Sequence, residues 1–447
     1  MRKTKIVATL GPSSENKIRE LAPYVDVFRI NFAHGNEESH KKYFDLIKDY
    51  APEAGILVDL PGPKFRLGDL KQQIEIKKGD KIVFSQKDGI PVDDELFYLA
   101  VREGSYVLIA DGMIRIKVIS VSKDRVEGIV EEGGILLPRK GINIPNVKIK
   151  SGITENDLKL LKRALELGAD YIALSFVINE DDVIKIKEIV KDNAWVIAKI
   201  EKSDALKNLV SIAKKADGIM VARGDLGVET GLENLPIIQR KIVRISRVFG
   251  KPVILATQVL TSMINNPLPT RAEIIDISNS IIQGVDAIML SDETAIGNYP
   301  VECVKVLHNI INNVEKNIKH RPIRPLSSED DAIALAAINA YKISKADIII
   351  AYSRSGNTIL RISRLRPEKE IIGICPSPKL SKRFRLCYGV IPITINKNLE
   401  SIDEIISKAL ETAEKIGMKA KKLVIVGGDP KQQQGKTNFI LIKSLNQ

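Results

Sequence analysis

The chain has 447 residues, 44% hydrophobic and 28% charged, which is too long for one core and balanced like a soluble globular protein, so two or three domains are expected. Its net charge of +12 suits anionic small substrates or nucleic acid, but aromatics are only 5% and no stretch interleaves them with cations as a stacking platform would, which argues against nucleic acid. No apolar run reaches the roughly 18 residues of a membrane span, "MRKTKIVATLGPSS" reads as a first strand rather than a signal peptide, and Cys303, Cys375 and Cys387 fit neither a zinc site nor a redox pair, so a cytoplasmic protein with buried thiols is expected.

In chain order, short apolar β-branched runs recur, each followed by helix-period sequence. They are "KIVATL" from residue 5, "DVFRI" from 26, "ILVDL" from 56, "YIALS" from 171, "WVIAKI" from 195, "GIMVA" from 218, "PVILAT" from 252 and "AIMLS" from 287. Near-continuous apolar strands alternating with helices imply a parallel sheet covered on both faces. Eight such units predict a closed (β/α)8, or TIM, barrel.

The third and fourth runs lie about 110 residues apart, too far for a βα loop. Between them "QIEIKKGDKIVFS", "YVLIADGMIRIKVISV" and "DRVEGIVEEGGILL" alternate apolar and polar residues and break at Gly-Asp, Asp-Gly and Gly-Gly. That pattern predicts a small antiparallel β-barrel inserted as a lid over residues 67–142. The barrel then occupies 1–66 and 143–325. After the linker-like "HRPIRPLSSEDD" (320–331), the runs "ADIIIAYS", "EIIGICP", "GVIPITI", "KKLVIVGG" and "NFILIKSL" predict a separate C-terminal α/β domain over 326–447.

Catalytic groups of such barrels project from the C-terminal strand ends. Strand two delivers Arg29, Asn31 and His34; strand three Asp59, Lys64 and Arg66; strand four Ser175 and Phe176; strand five Lys199 and Glu201. Strand six delivers Arg223, Gly224 and Asp225, strand seven Thr257 and Gln258, and strand eight Ser291, Asp292, Glu293 and Thr294. A single charge at a strand end is usually solvated or salt-bridged; so many together are not. Glu201 and Asp225 suit a hard divalent cation that also bridges phosphate oxygens, namely Mg2+. Arg29, Arg66, Lys199 and Arg223 suit phosphate and carboxylate groups. The implied chemistry is phosphoryl transfer or enolate stabilisation.

The motifs "KIVATLGPSS", "FRINFAHG", "VDLPGPKFR", "RKGINIPN", "AKIEK", "GIMVARGDLGVE", "ILATQVLTSM", "PTRAEIIDISN" and "IMLSDETAIGNYP" follow one another in the order found in pyruvate kinases, around the inserted lid, and across essentially the whole chain the sequence resembles that family. The resemblance implies transfer of phosphate from phosphoenolpyruvate to ADP, giving ATP and pyruvate, with Mg2+ as cofactor and a homotetramer as the assembly. Lys199 then matches the lysine that bridges the transferring phosphoryl group and stabilises the enolate. Glu201 and Asp225 match the Mg2+ ligands. The backbone around Gly224 and the hydroxyl of Thr257 match the substrate carboxylate site, Arg29 matches the phosphate-contacting arginine, and Arg223 is expected to be catalytic together with Lys199, Arg29 and Thr257. Asn31, His34 and Arg66 match the nucleotide side, which Lys140 reaches from the lid.

Two positions depart from the family. It usually has serine where this chain has Ala33, and often glutamate where it has Lys64. The family's monovalent-cation site corresponds to Asn31, Asp59, the Leu60 carbonyl and that serine hydroxyl. Lys64, held by the stiff "PGPK" turn, is expected near Asp59 in place of K+, so that no monovalent cation is required.

"GGDPKQQQGKT" (427–437) imitates a phosphate-binding P-loop, but Pro430 stands where the pattern needs glycine and a strand follows, which argues against a nucleotide site and leaves open that the loop touches an effector. "YSRSGNT" follows a strand and opens a helix, an arrangement suited to anions. Ser353, Ser355, Gly356, Asn357 and Thr358 are expected to hold a phosphate of an allosteric effector, helped by Arg361, Arg364, Arg366, Lys382, Arg383 and Arg385. Two rival functions are a lyase of related phosphoenolpyruvate-using barrels and a non-catalytic metabolite sensor; the inserted lid and the Lys199–Glu201 pair argue against the first.

Overall fold

The structure, a computed structural model, describes residues 2–110, 112–145, 153–320, 323, 328–415, 420–431 and 435–444. The end of the "RKGINIPN" motif, most of the linker with the expected 325/326 domain edge, the middle of the P-loop-like segment and Leu445 lie outside them.

Eight parallel strands close into a barrel. They are β1 (Lys5–Thr9), β2 (Val27–Asn31) and β3 (Gly55–Asp59), then, after the lid strands β4 (Ile74–Ile76), β5 (Lys81–Ser85), β6 (Tyr106–Ile109), β7 (Ile114–Ser122), β8 (Arg125–Glu132), β9 (Gly134–Leu136) and β10 (Ile142–Asn143), the strands β11 (Tyr171–Leu174), β12 (Trp195–Ile200), β13 (Gly218–Ala222), β14 (Val253–Ala256) and β15 (Ala287–Leu290). Every residue of β1, β3, β11, β13, β14 and β15 is buried. Alternate residues serve two cores. Ile6, Phe28, Val58 and Ile172 meet the surrounding helices, while Val7, Val27, Leu57 and Ala173 fill the barrel. This double burial is why the strands read as unbroken apolar runs. Helices begin where the sequence supplies caps: Asn36, Thr154, Asn179 and Thr270 each accept from the backbone N–H three residues on, and the side chain at that position accepts in return.

The inserted antiparallel lid is present. It is a five-stranded antiparallel sheet in the order β10-β6-β7-β8-β5 beside the two-stranded ladder β4-β9, wrapped around Phe84, Phe97, Val107, Ile116 and Val126. Nineteen residues' worth of buried apolar side chains fill that core without hydrogen-bonded closure. Asn143 still pairs with Leu108, so the lid sheet runs one residue past the expected edge at 142.

The C-terminal sheet comprises β16 (Ile348–Tyr352), β17 (Ile371–Cys375), β18 (Val390–Thr394), β19 (Lys422–Gly427) and the antiparallel edge β20 (Phe439–Ser444), in the order β18-β17-β16-β19-β20. Its core joins the barrel interior through Trp195, whose ring meets Phe384 edge-on at 5.5 Å, and the Tyr171 hydroxyl donates to the Lys382 carbonyl at 2.8 Å.

The five arginines expected to serve the "YSRSGNT" loop do other work. Arg366 grips Asp286 of the barrel at 2.9 and 2.8 Å and the Gly284 carbonyl at 2.7 Å. Arg364 pairs with Asp331 and reaches the Val248 carbonyl, and Arg361 pairs with Asp330 and Asp331. Arg383 donates to the Asp192 carbonyl, and Arg385 pairs with Glu53. Arg364, Arg366, Arg383 and Arg385 thus clamp the C-terminal domain to the barrel floor, while Arg361 stays within its own domain, where its helix packs on the helix Glu329–Ser344 with its acidic first turn.

His320 sits in the same junction, 3.0 Å from the Tyr388 hydroxyl. Burial, then Arg366, Arg247 and Lys3, push its pKa down to about 3. The unfolded chain therefore binds this proton from about pH 6.5 downward, while the folded chain does not. Stability must fall as pH drops from 6.5 toward 3. His320→Gln is expected to lose less thermal stability between pH 7 and pH 5 than the wild-type chain; equal losses would contradict the assignment.

Candidate active site

Parallel register brings the strand ends together. Asn31 lies beside Asp59, and Ala173 also beside Asp59. Leu174 lies beside Ala198, so Ser175 and Lys199 follow as neighbours. At the centre is Asp59, only 2% exposed. Its Oδ1 accepts from Lys199 Nζ at 2.9 Å, and its Oδ2 accepts from Arg29 Nε at 2.9 Å and lies 2.8 Å from a second Arg29 nitrogen. Lys199 Nζ also donates to Ser175 Oγ at 2.7 Å and lies 3.1 Å from Glu201 Oε1. The Ser175 hydroxyl donates to the Leu60 carbonyl at 2.6 Å, and Arg29 donates to Thr9 Oγ1 at 3.0 Å.

Burial alone would neutralise these groups, but the neighbours prevail. Burial lowers the Lys199 pKa, and Asp59 and Glu201 raise it well above the usual lysine range. Burial raises that of Asp59, and Lys199 and Arg29 bring it below the usual carboxylate range. The result is two fixed cations at the barrel mouth, aimed by one carboxylate.

Glu201 and Asp225 form the second centre. Glu201 Oε2 accepts from the Phe176 N–H at 2.7 Å. Burial, with the nearby Asp225 charge adding to it, holds the Glu201 carboxyl above its usual range in spite of Lys199. Asp225 lies at the start of the helix Arg223–Thr230. Burial pushes its pKa up, but Lys64 and a hydrogen bond from Asn143 outweigh that and hold it low. Two facing carboxylates with oxygen donors only suit Mg2+, which keeps water and substrate oxygens in its remaining positions. Among the described residues no cluster of three or more His, Cys, Asp or Glu offers a closed metal cage.

The Lys64 ammonium, expected near Asp59, meets Asp225 Oδ1 at 2.5 Å instead. Both Asp59 oxygens are taken by Lys199 and Arg29, and the Pro61–Pro63 turn carries Lys64 past the strand end toward the lid.

Arg223 also differs from expectation. Its guanidinium does not face the mouth as an anion site. It donates to the Thr257 carbonyl at 3.2 and 2.8 Å and to the Gln258 carbonyl at 2.7 Å, and pairs with Asp276 at 2.5 Å. Thr257 and Gln258 both hold left-handed backbones, φ +67° and +51°, a conformation that costs free energy in β-branched residues. Arg223 props this turn, and the Thr257 hydroxyl accepts from the Gly224 N–H at 2.8 Å. Glu293, listed by its strand end among the mouth carboxylates, points inward: it accepts from the Val259, Leu260 and Ser291 amides and staples two loops.

On the expected nucleotide side, Asn31 Oδ1 accepts from the Ala33 N–H at 3.2 Å. The Arg66 guanidinium donates to the Arg139 carbonyl at 3.1 Å. Lys140 and His34 are exposed. Burial, then Arg66 and Arg29, hold the His34 imidazole below its usual range, with Lys140 contributing in the same sense. These four side chains share one electrostatic neighbourhood.

In the C-terminal domain, Ser353 Oγ accepts from the Gly356 N–H at 2.9 Å and the buried Thr358 hydroxyl meets that of Thr437 at 2.8 Å. Ser355 and Asn357 are exposed. Gly356 has φ +92°, and a side chain there would strike Phe384.

Three contributors were not singled out from sequence: Thr9, which orients Arg29; Asp276, which holds Arg223 from within the quoted "PTRAEIIDISN"; and Asn143, which donates to Asp225 Oδ1 at 2.8 Å. Thr9 and Asn143 also sit inside quoted motifs, which was the only signal available.

Residues 1–304 match the family model "Pyruvate kinase, barrel domain", and residues 331–443 match "Pyruvate kinase, alpha/beta domain". The chain is 38% identical over 466 residues to a pyruvate kinase of Agrobacterium vitis, covering 99% of this chain and 96% of that one. It is 38% identical over 455 residues to one of Methanocaldococcus jannaschii (100% and 99%) and 37% identical over 465 residues to one of Thermotoga maritima (99% and 99%).

The role of Arg223 can be tested through stability. Arg223→Gln leaves two inward carbonyls without charged donors, a loss of about 1–3 kcal/mol, and the thermal midpoint should fall by several degrees, with Arg223→Lys recovering part of it. An unchanged midpoint in Arg223→Gln would show that the turn needs no prop.

Proposed function

The chain belongs to the pyruvate kinase family, a family of phosphotransferases, and from that premise we propose that it moves the phosphoryl group of phosphoenolpyruvate to ADP, giving ATP and pyruvate. The observation that carries this is the Lys199 ammonium held at once by Asp59, Ser175 and Glu201.

The P–O bond to the enol oxygen breaks, a β-phosphate oxygen of ADP takes the phosphorus, and the enol oxygen keeps the electron pair. The enolate carbon then takes a proton and becomes the methyl group of pyruvate. Charge thus moves from the phosphoryl oxygens to the enolate oxygen, and a cation fixed between the two positions stabilises the transition state more than the ground state. Lys199 is that cation, and Arg29, aimed by Asp59 and Thr9, holds the phosphoryl oxygens. The backbone around Gly224 and the Thr257 hydroxyl, which accepts from the Gly224 N–H and so keeps its own proton to donate, receive the substrate carboxylate, and Thr257 lies on the face from which the enolate is protonated. Asn31, His34, Arg66 and Lys140 hold the nucleotide; a neutral His34 donates a hydrogen bond there without adding charge. Glu201 and Asp225 would hold Mg2+, which when bound supplies positive charge beside the phosphoryl oxygens. Residues 67–142 act as a lid that closes on the nucleotide and excludes water.

A monovalent cation is not required on this account. Ala33 supplies no hydroxyl, and both oxygens of Asp59 already carry Lys199 and Arg29. Self-association is supported by Ile237, Ile275 and Ile282, which lie 71, 61 and 51% exposed on the neighbouring helices Leu235–Val248 and Arg271–Gln283.

An assay of ADP phosphorylation with phosphoenolpyruvate and Mg2+ tests the function. Lys199→Met should lower turnover by about 10²–10³-fold with little change in substrate affinity; undiminished turnover would sink the assignment. At matched ionic strength, wild-type activity should be nearly equal with and without K+. An enzyme inactive until K+ is added would overturn the second claim.

A further inference from the structure

The chain enters the lid through Lys64, Phe65 and Arg66 and leaves it through Gly141, Ile142 and Asn143. The two passages are hydrogen-bonded to each other: the Ile142 N–H donates to the Phe65 carbonyl at 2.8 Å, and Arg66 bridges to Gly141. They also converge on one atom. Asp225 Oδ1 takes the Lys64 ammonium at 2.5 Å and the Asn143 amide at 2.8 Å. The Lys64–Asp225 pair is well shielded, with side chains 16% and 18% exposed. Gly141 is what lets the lysine reach: a Cβ there would lie 2.5 Å from Lys64 Cε, so the stem runs directly beneath the departing lid strand. Asn143 itself is 4% exposed and has little freedom to turn elsewhere.

We propose that Lys64 and Asn143 form a latch on Asp225 Oδ1 that ties the base of the lid to the occupancy of the divalent-metal site. The proposal rests on the assignment of Glu201 and Asp225 as metal ligands. An ammonium and a divalent cation drawn to one carboxylate repel each other, so on this proposal metal entry displaces Lys64. Its stem then withdraws from beneath Gly141, and the Asn143 amide loses an acceptor it shared. Without metal, the latch keeps Asp225 charged and oriented and holds both lid passages against the helix Arg223–Thr230. With metal, the lid base is released at the moment its movement is needed to admit and cover the nucleotide. Lys64 and Asn143 are positioning residues in this scheme: they act through Asp225.

Mn2+ in the absence of substrates is the probe. Its binding is measured by electron paramagnetic resonance, and the lid base is followed by hydrogen–deuterium exchange over residues 64–66 and 139–144. Lys64→Met should bind Mn2+ about tenfold more tightly than the wild-type chain, having lost a charged hydrogen-bonding competitor. Gly141→Ala should shift affinity in the same direction while keeping the charge, because it pushes the lysine aside. Asn143→Ala should speed exchange at the lid base before any metal is added. In the wild-type chain Mn2+ should speed that exchange, and in Lys64→Met it should not. Unchanged or weaker Mn2+ binding in Lys64→Met, or an intact metal response of the lid base in that variant, would overturn the latch. Glu201→Gln separates the two levels: weakened Mn2+ binding there upholds the metal site whatever happens to the latch, whereas wild-type Mn2+ binding would remove the metal site and the latch with it.

Discussion

The pairing of Asp59 with Arg29 and Lys199 organises the whole barrel mouth. Three charged groups from three different strands are buried together, and none would tolerate that position alone, since an unpaired ion loses several kcal/mol on leaving water. The carboxylate sits at the C-terminal end of β3, between the strands that carry its partners, so barrel closure and charge pairing impose the same geometry. One acid thereby aims both cations that the proposed chemistry uses. Because they are aligned before substrate arrives, little reorganisation is needed when charge moves.

The second centre has a different character. Glu201 and Asp225 face one another with more negative charge than burial favours, and two non-metal cations, Lys199 and Lys64, offset it. Lys199 belongs to the rigid barrel. Lys64 belongs to the passage into the lid. The site is therefore anchored on one side to the barrel and on the other to the inserted lid. Farther down, the barrel interior runs on into the C-terminal core through Trp195 and Phe384, and Arg366 locks that junction through buried Asp286. A guanidinium with planar, paired donors suits such a bidentate grip better than an ammonium would.

Much of the fold was legible in the sequence because buried parallel strands leave no polar positions to blur them. Each of the eight apolar runs became a barrel strand with ends within about a residue of expectation. The alternation in the lid announced antiparallel strands but not whether the sheet closes, since closure depends on long-range hydrogen bonds. Asp59, Lys199, Glu201, Arg29 and Asp225 were visible as strand-end residues. Their partners were less so. Lys64 and Asp225 stand 161 residues apart, and nothing local distinguishes a lysine bound for Asp59 from one bound for Asp225. Arg361, Arg364 and Arg366 were misjudged because proximity in sequence to an anion-type loop does not say which way a helix face turns. Glu293 shows a related point: a carboxylate at a strand end can as well cap neighbouring amides as face a ligand.

The claim at the centre of this account is that Asp59 acts through Lys199. The coupling between Asp59→Asn and Lys199→Met in turnover, measured with both single variants and the double variant, tests it most directly. If Asp59 works by holding that ammonium, the double variant should be little slower than the worse of the two singles. If the two losses multiply, the residues act independently and the account is contradicted.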